Sequence, residues 1–449
     1  MDAIVQKYAT AAVPRYTSYP TVPHFEKDFP EATVRGWLEQ LDPAQAISLY
    51  LHVPFCRQLC WYCGCNMKLA SRYEPVAKYV DVLAQEVDLV TGMLPARMRV
   101  EHLHWGGGTP TALEPDDLER MMARVASRFD FEPDAEIAIE SDPRTLTDEM
   151  IRRIGAIGFN RASFGVQEFD SRVQAAINRI QPPDMVARSV EALREAGVRG
   201  INFDLIYGLP HQTVASLSRT IEQCVAMRPD RIALFGYAHV PWMAKKQRLI
   251  DEALLPGPLE RRAQAEAAAV ALAAAGYEAI GIDHFALPHD PLAAAARAGT
   301  LHRNFQGYTT DEANTLIGLG ATSIGRTPWG YVQNISETGA WARTVTAGRL
   351  PVAKGHELTA DDRARAHVIE QLMCQGTADL EAARRAFGQP YGWCDDALSN
   401  LAGMVDDALV EVADGTVRLN DAARPLARVA AAAFDRYFQS ARARHSVAV

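Results

Sequence analysis

No apolar run in this 449-residue sequence approaches the ~20 residues that a membrane-crossing helix requires. The Ala-rich stretch 263–275 is interrupted by Gln264 and Glu266 and reads as a soluble helix. Residues 1–16 have neither the basic start nor the apolar core of a signal peptide. Cysteine is scarce outside one short stretch. Only Cys224, Cys374 and Cys394 lie elsewhere, and the total of seven is odd and shows no disulfide spacing. These absences lead us to expect a cytoplasmic chain in a reducing environment. Lysine is missing from residue 357 onward although arginine is not, and the formal net charge is −9. Both disfavour a nucleic-acid partner, which needs a basic surface, while leaving room for a local basic pocket. No internal repeat and no long low-complexity tract is found. What is present is ample apolar content (48%) for a large core, at a length that suggests two to three domains or one barrel with additions.

Strand and helix patterns alternate through the first half. Strands are expected at 47–53, 100–104, 136–139, 162–164, 200–206 and 231–235. Helices are expected at 75–90, 115–127, 147–157, 184–196 and 216–227. Such alternation predicts an α/β fold with a parallel sheet, wholly or partly closed into a barrel, and loops at the C-terminal strand ends carry the chemistry of such folds. Ahead of it, Pro14 and Pro20 bracket a stretch that cannot be a helix interior and reads as an ordered tail. From 357 the texture changes: helices at 359–373, 379–387 and 393–407, a hairpin of 410–412 with 417–419 through Asp414-Gly415, and a last helix at 422–438. The expected organisation is an extension at 1–46, the barrel with its extension at 47–356, and a mainly helical, winged-helix-like region at 357–449.

Four cysteines fall within ten residues, the first three spaced as Cys56-x3-Cys60-x2-Cys63. Three thiolates leave one iron of a four-iron cluster open for a ligand, which suits catalysis. A zinc knuckle using Cys56, Cys60, Cys63 and Cys65 is the competing reading. The run Gly106-Gly107-Gly108-Thr109-Pro110 is either a turn or a place where backbone N–H groups meet a ligand. Glu140, in Glu140-Ser141-Asp142-Pro143, either ends a strand in solvent or helps cap a turn. Individually, Gln167, Arg179 and Asp204 are ordinary polar residues, and 302–310 shows neither period and reads as a surface loop.

The cysteine triad with Tyr62 just before its third member resembles the radical S-adenosylmethionine superfamily. The wider string Leu49-Tyr50-Leu51-His52-Val53-Pro54-Phe55-Cys56, followed by Cys63-Gly64-Cys65-Asn66, resembles the oxygen-independent coproporphyrinogen III oxidases of haem biosynthesis. So do Pro14-Arg15-Tyr16-Thr17-Ser18-Tyr19-Pro20, Gly281-Ile282-Asp283-His284-Phe285-Ala286 and His302-Arg303-Asn304-Phe305-Gln306-Gly307-Tyr308-Thr309-Thr310. The resemblance implies an incomplete parallel (β/α)6 barrel with the N-terminal segment near the active site. It implies a [4Fe-4S] cluster on Cys56, Cys60 and Cys63, with Cys65 and Tyr50 in catalysis and Cys65 not a ligand. Two S-adenosylmethionine molecules are implied. The first would meet Tyr50, Gly107 and Glu140, and the second Tyr62, Gly108, Thr109, Gln167, Arg179, Asp204, Ala238 and Ile324. The implied reaction turns two propionates of coproporphyrinogen III into vinyl groups, giving protoporphyrinogen IX, through a 5′-deoxyadenosyl radical. A flavodoxin or ferredoxin would donate the electron to a monomeric enzyme. Guanidinium forks suit carboxylates, so Arg15 and Arg303 are candidates for holding the propionates. A haem-binding chaperone and a radical enzyme acting on haem are the alternatives within the superfamily. Chaperone relatives typically lack both the Pro-Arg-Tyr-Thr-Ser-Tyr-Pro start and the cysteine two residues past the triad, and both are present here.

Overall fold

The computed structural model describes residues 7, 8 and 11–438. Six strands are parallel neighbours in chain order: β1 (Ile47–Val53), β2 (Arg99–Gly107), β3 (Asp130–Ser141), β4 (Arg161–Gln167), β5 (Gly200–Tyr207) and β6 (Arg231–Gly236). Each leads to a helix: α1 (Glu74–Thr91), α2 (Pro115–Arg128), α3 (Asp148–Ile157), α4 (Pro183–Glu195), α5 (Val214–Ala226) and α6 (Pro258–Ala274). Because side chains alternate along a strand, each strand has two jobs. Leu49, Leu51, Leu103, Trp105, Phe164, Phe203 and Ile232 share a buried core with Val76, Leu83, Val125, Ile154, Val190 and Ile221 of the helices. Burying one such side chain contributes roughly 1.5–3 kcal/mol. The intervening residues Ser48, Tyr50, His52, His102, His104, Glu136, Arg161, Asp204 and Arg231 line a cavity.

Helix starts follow local chemistry. Thr147 caps α3 by accepting from the Met150 amide, and Thr213 with Ser216 forms a capping box on α5.

The sheet exceeds the six expected strands. Leu316–Leu319 pairs in parallel with β1, and Ile324–Thr327, Gly330–Asn334, Val352–Glu357 and Glu26–Lys27 continue that edge antiparallel. On the other edge, His284–Ala286 and Glu278–Ile280 pair antiparallel beyond β6. The stretch expected as a surface loop is a hairpin, His302–Asn304 with Gly307–Thr309, that buries Arg303 and Tyr308.

Toward the C-terminus, Ala360–Gln375 and Asp395–Asp406 are helices, and Val410–Ala413 pairs with Thr416–Leu419. The expected helix at 422–438 is broken. Asp421–Leu426 is a 3-10 turn containing Pro425, which has no N–H to give, and only Ala427–Ala432 is α-helical. Positions 439–449 lie outside the described residues. Val13, Tyr16 and Tyr19 of the N-terminal segment share a second core with Val368, Leu372, Leu401 and Phe434. Among the described residues, no helix is long and apolar enough to cross a membrane.

Candidate active site at the barrel mouth

The loop after β1 carries Cys56, Cys60 and Cys63, and all three line one cavity of about 450 Å³ at the C-terminal strand ends. The loop is tied down by its backbone: the Trp61 amide donates to Ile177 O (3.0 Å), and Asn178 and Gln247 donate to the carbonyls of Leu59 and Tyr62 (both 2.7 Å). Each sulfur has a polar neighbour. Arg144 and Arg179 aim guanidinium N–H groups at Cys60 Sγ from 3.2 and 3.3 Å, and both arginines pair with Asp142. The Cys65 amide donates to Cys63 Sγ at 3.4 Å, and Cys56 Sγ lies 3.6 Å from Thr109 Oγ1. Hydrogen bonding from Cys65 and the Lys246 ammonium bring the Cys63 thiol down to about 6, whereas burial pushes Cys56 up to about 11. N–H donors aimed at sulfur favour thiolates. Among the described residues, the cysteines form no group of three ligand atoms within 4.8 Å of one another. A single zinc ion needs tighter convergence than that, whereas a cluster that gives each thiolate its own iron does not.

Glu140 faces the loop from the end of β3. Its carboxylate accepts from the Gly107 amide (3.2 Å) and contacts His104 Nε2 (3.1 Å). Burial works against the charge, but the His104 ring and the Gly107 amide hold its pKa below the usual glutamate value. A Cβ on Gly106 would stand 2.7 Å from Glu140 Oε1, so any larger residue there would push the carboxylate from its present position across β2. Thr109 and Gly108 line the same cavity, as do Tyr62, Ala238 and Arg15.

Gln167 and Arg179 approach from β4 and the loop beyond it. Gln167 holds φ at +65, and its buried Oε1 has no hydrogen-bond partner among the described residues. A buried orphan acceptor and a left-handed non-glycine both cost free energy, a pattern that marks sites awaiting a ligand. Arg179 Nε donates to Gly165 O at 2.9 Å. Asp204, on β5, receives one hydrogen bond, from Ser163 at 3.3 Å, and burial together with Glu140 pushes it up to about 7.

Two expected residues sit on the other side of this boundary. Tyr50 and Ile324 line a second cavity, of about 540 Å³, inside the barrel. Cys65, Gly107, Glu140, Ser163, Asp204 and Phe235 line both cavities and so mark where they meet. Tyr50 OH is 3.0 Å from His52 Nδ1.

Arg303 is not in either cavity. It is buried, donates to Arg15 O (3.3 Å), lies over the Tyr308 ring (4.4 Å to the centroid) and borders a third cavity with residues 16–19. Arg303, expected as a candidate for holding the propionates, is carried by its hairpin behind the N-terminal segment. Of these two, Arg15, held to Gly236 O at 3.2 Å, reaches the cysteine-side cavity.

Sequence reasoning missed Arg144, Lys246, Gln247, His52 and His104. His52 lies within the string that leads into the cysteine loop but was not singled out, the other four carry no motif, and all five converge only through strand order and loop packing.

The sequence pattern of the Radical SAM superfamily matches residues 50–224. The chain is 47% identical to the oxygen-independent coproporphyrinogen III oxidase of Bradyrhizobium diazoefficiens over 98% of both chains. It is 44% identical to an anaerobic coproporphyrinogen III oxidase of Cereibacter sphaeroides, over 98% of this chain and 97% of the relative. Its structure superposes on that of the Escherichia coli coproporphyrinogen III oxidase, described as a radical SAM enzyme, with a TM-score of 0.91 and 36% identity over 97% of this chain and 99% of that one. With the thiol loop, the barrel and the glycine–glutamate crossing already in place, this likeness from end to end settles the lineage: the chain belongs to the oxygen-independent coproporphyrinogen III oxidases of the radical SAM superfamily.

Proposed function

We propose that the chain carries out its relatives' named activity, the oxygen-independent oxidative decarboxylation of coproporphyrinogen III to protoporphyrinogen IX. The observation that carries this reading is the three-thiol cavity opening, at Cys65, Glu140 and Asp204, onto a larger polar cavity inside the barrel. Cys56, Cys60 and Cys63 would hold a [4Fe-4S] cluster. The bound cluster and S-adenosylmethionine would supply the 5′-deoxyadenosyl radical that takes a hydrogen from the propionate β-carbon, after which carbon dioxide and one electron leave.

The chain's own residues do the rest. Glu140, Gly107 and Tyr50 would grip the first S-adenosylmethionine. Gln167 with its orphan Oε1, Arg179 and Asp204, with Tyr62, Gly108, Thr109, Ala238 and Ile324 around them, would form the setting for a second. Arg144 and Arg179 would hold the Cys60 sulfur in place through their guanidinium N–H groups. Cys65, exposed at the junction, would act on the substrate side rather than as a ligand. Arg15 would meet a propionate, with Arg303 bracing it through the Arg15 carbonyl. The electron would come from a flavodoxin or ferredoxin, and the enzyme would work as a monomer in the cytoplasm.

The test is anaerobic: protein reconstituted with iron and sulfide, a reductant, S-adenosylmethionine and coproporphyrinogen III. Protoporphyrinogen IX with release of two carbon dioxides per substrate is expected. A reconstituted cluster that cleaves S-adenosylmethionine but leaves the substrate intact would reject the reading.

A further inference from the structure

The cavity inside the barrel contains an imidazole that no part of the proposed function uses. His284 starts the strand His284–Ala286 and pairs with Ala233 of β6. Its Nδ1 lies 2.6 Å from Asp283 Oδ1. The ring stands edge-on to Phe235 (5.7 Å, 81°) and Tyr308 (5.2 Å, 84°), so its plane is fixed on two sides. Nε2 has no hydrogen-bond partner among the described residues. A Cβ at Gly307 would stand 3.1 Å from both Cε1 and Nε2. Gly307 holds φ at +124, so a glycine both permits that backbone and leaves the Nε2 edge uncovered.

The other basic groups lining this cavity each have a polar contact, although among the described residues His52 Nε2, His102 Nδ1 and Arg231 Nη2 have no hydrogen-bond partner. Arg161 and Arg231 pair with Glu136 and Asp290. His104 contacts Glu140, and His102 lies near Asp311. His52 contacts Tyr50, and burial draws it down to about 4, so it is neutral. An anionic ligand entering the barrel therefore finds in His284 an imidazole held in a fixed plane with its Nε2 open. Asp283 also fixes the ring's orientation through Nδ1, which leaves Nε2 as the nitrogen facing the cavity.

We propose that His284, oriented by Asp283, binds a carboxylate of the substrate inside the barrel. This rests on the family reading above and assigns one propionate contact to a residue outside the cofactor machinery. Asp283 is a positioning residue.

The experiment uses the full chain, reconstituted anaerobically, with His284→Gln, His284→Ala and Asp283→Asn. KM for coproporphyrinogen III should rise about tenfold or more in both His284 variants, in line with the loss of a charged hydrogen bond. It should rise by a smaller factor in Asp283→Asn, with kcat changed little in all three. Cluster absorption and substrate-free cleavage of S-adenosylmethionine should stay at wild-type levels, which shows that the variants fold. Affinity for the tetramethyl ester of the substrate, measured by equilibrium dialysis, should be the same in His284→Gln as in wild type, so discrimination between acid and ester narrows. A merely structural role would weaken both ligands. Unchanged KM in the His284 variants, or a fall in kcat at unchanged KM, would overturn the assignment. If the wild-type protein does not turn over coproporphyrinogen, the family reading falls and this assignment with it; wild-type turnover with unaltered variants removes this assignment alone.

Discussion

The cavity on the cysteine side and the cavity inside the barrel share Glu140 and Asp204 but differ in what holds their walls. The first is walled by loops. Its thiols are placed by a few hydrogen bonds from Arg144, Arg179, Asn178 and Gln247. The second is walled by strands, and its floor is a buried ion network. Glu136 lies between Arg161 (2.9 Å) and Arg231 (3.5 Å), and both arginines also reach Asp290. Losing a residue from the first wall should empty a site and leave the fold standing. Losing a member of the ion network in the second should weaken the fold itself. The contrast is the usual one between function carried on loops and a scaffold carried on ladders.

The sharpest way to break the comparison is at the thiols. Cys56→Ser, Cys60→Ser and Cys63→Ser should each abolish the reconstituted iron–sulfur absorption and all turnover, while thermal unfolding of the cluster-free protein shifts little. Cys65→Ser should keep its iron and sulfide. Full cluster content in any triad variant, or its loss in Cys65→Ser, would contradict the division of labour among the four.

The floor comes next. Glu136→Ala leaves Arg161 and Arg231 facing each other across a buried gap, and removing one member of a buried ion network costs ~3–5 kcal/mol. Urea unfolding of the ligand-free chain should show that loss. An unchanged midpoint would place Glu136 with the dispensable residues.

At the shared boundary, Asp204 should report on both cavities. Asp204→Ala is expected to lower bound S-adenosylmethionine from two molecules to one in equilibrium dialysis without altering the cluster spectrum. Because Asp204 is pushed up to about 7 in the fold, against an ordinary carboxyl near 3.8, the native state binds the extra proton between those values. The stability of the ligand-free protein should therefore fall as pH rises through that window. Asp204→Asn should flatten this part of the slope, and denaturation at pH 5 and pH 8 checks it.

The smallest expected effect is at Arg303, which stands behind the N-terminal segment. Arg303→Ala removes its bond to the Arg15 carbonyl, a charged hydrogen bond of roughly 1.5–3 kcal/mol. It should weaken substrate affinity by about tenfold while S-adenosylmethionine cleavage persists. Arg303→Lys should recover little, since an ammonium neither stacks on Tyr308 nor forks.

Much of the barrel was legible. The apolar strands and amphipathic helices from residue 47 to 236 stand where their periods put them, within a few residues, because each has an outward face that must meet the core. Strands between 278 and 357 were not legible, unlike the hairpin at 410–419. They are three to six residues long, several contain glycine, and most are strands only because a sheet edge was there to pair with. The predicted last helix failed for a local reason, Pro425 inside an alanine-rich run whose helical propensity masked it. Cys56 to Cys65 could be singled out because their chemistry is written within ten residues. His104, Glu136, Arg161 and Arg231 could not, since each stands on a different strand with nothing near it in sequence to mark a role, and His52 and His284 stood in family-like strings without a role of their own.

The sequence by itself determined the α/β alternation, the thiol loop and the glycine run, because each is specified by neighbours within a turn or two of chain. Only the tertiary structure decided that alternate residues of six strands would face one another across a polar interior. It also turned Arg303 toward the Arg15 carbonyl rather than the cysteines, and left His284 with one free nitrogen. Those outcomes depend on strand register and on hairpin placement, where a shift of one residue sends every side chain to the opposite face.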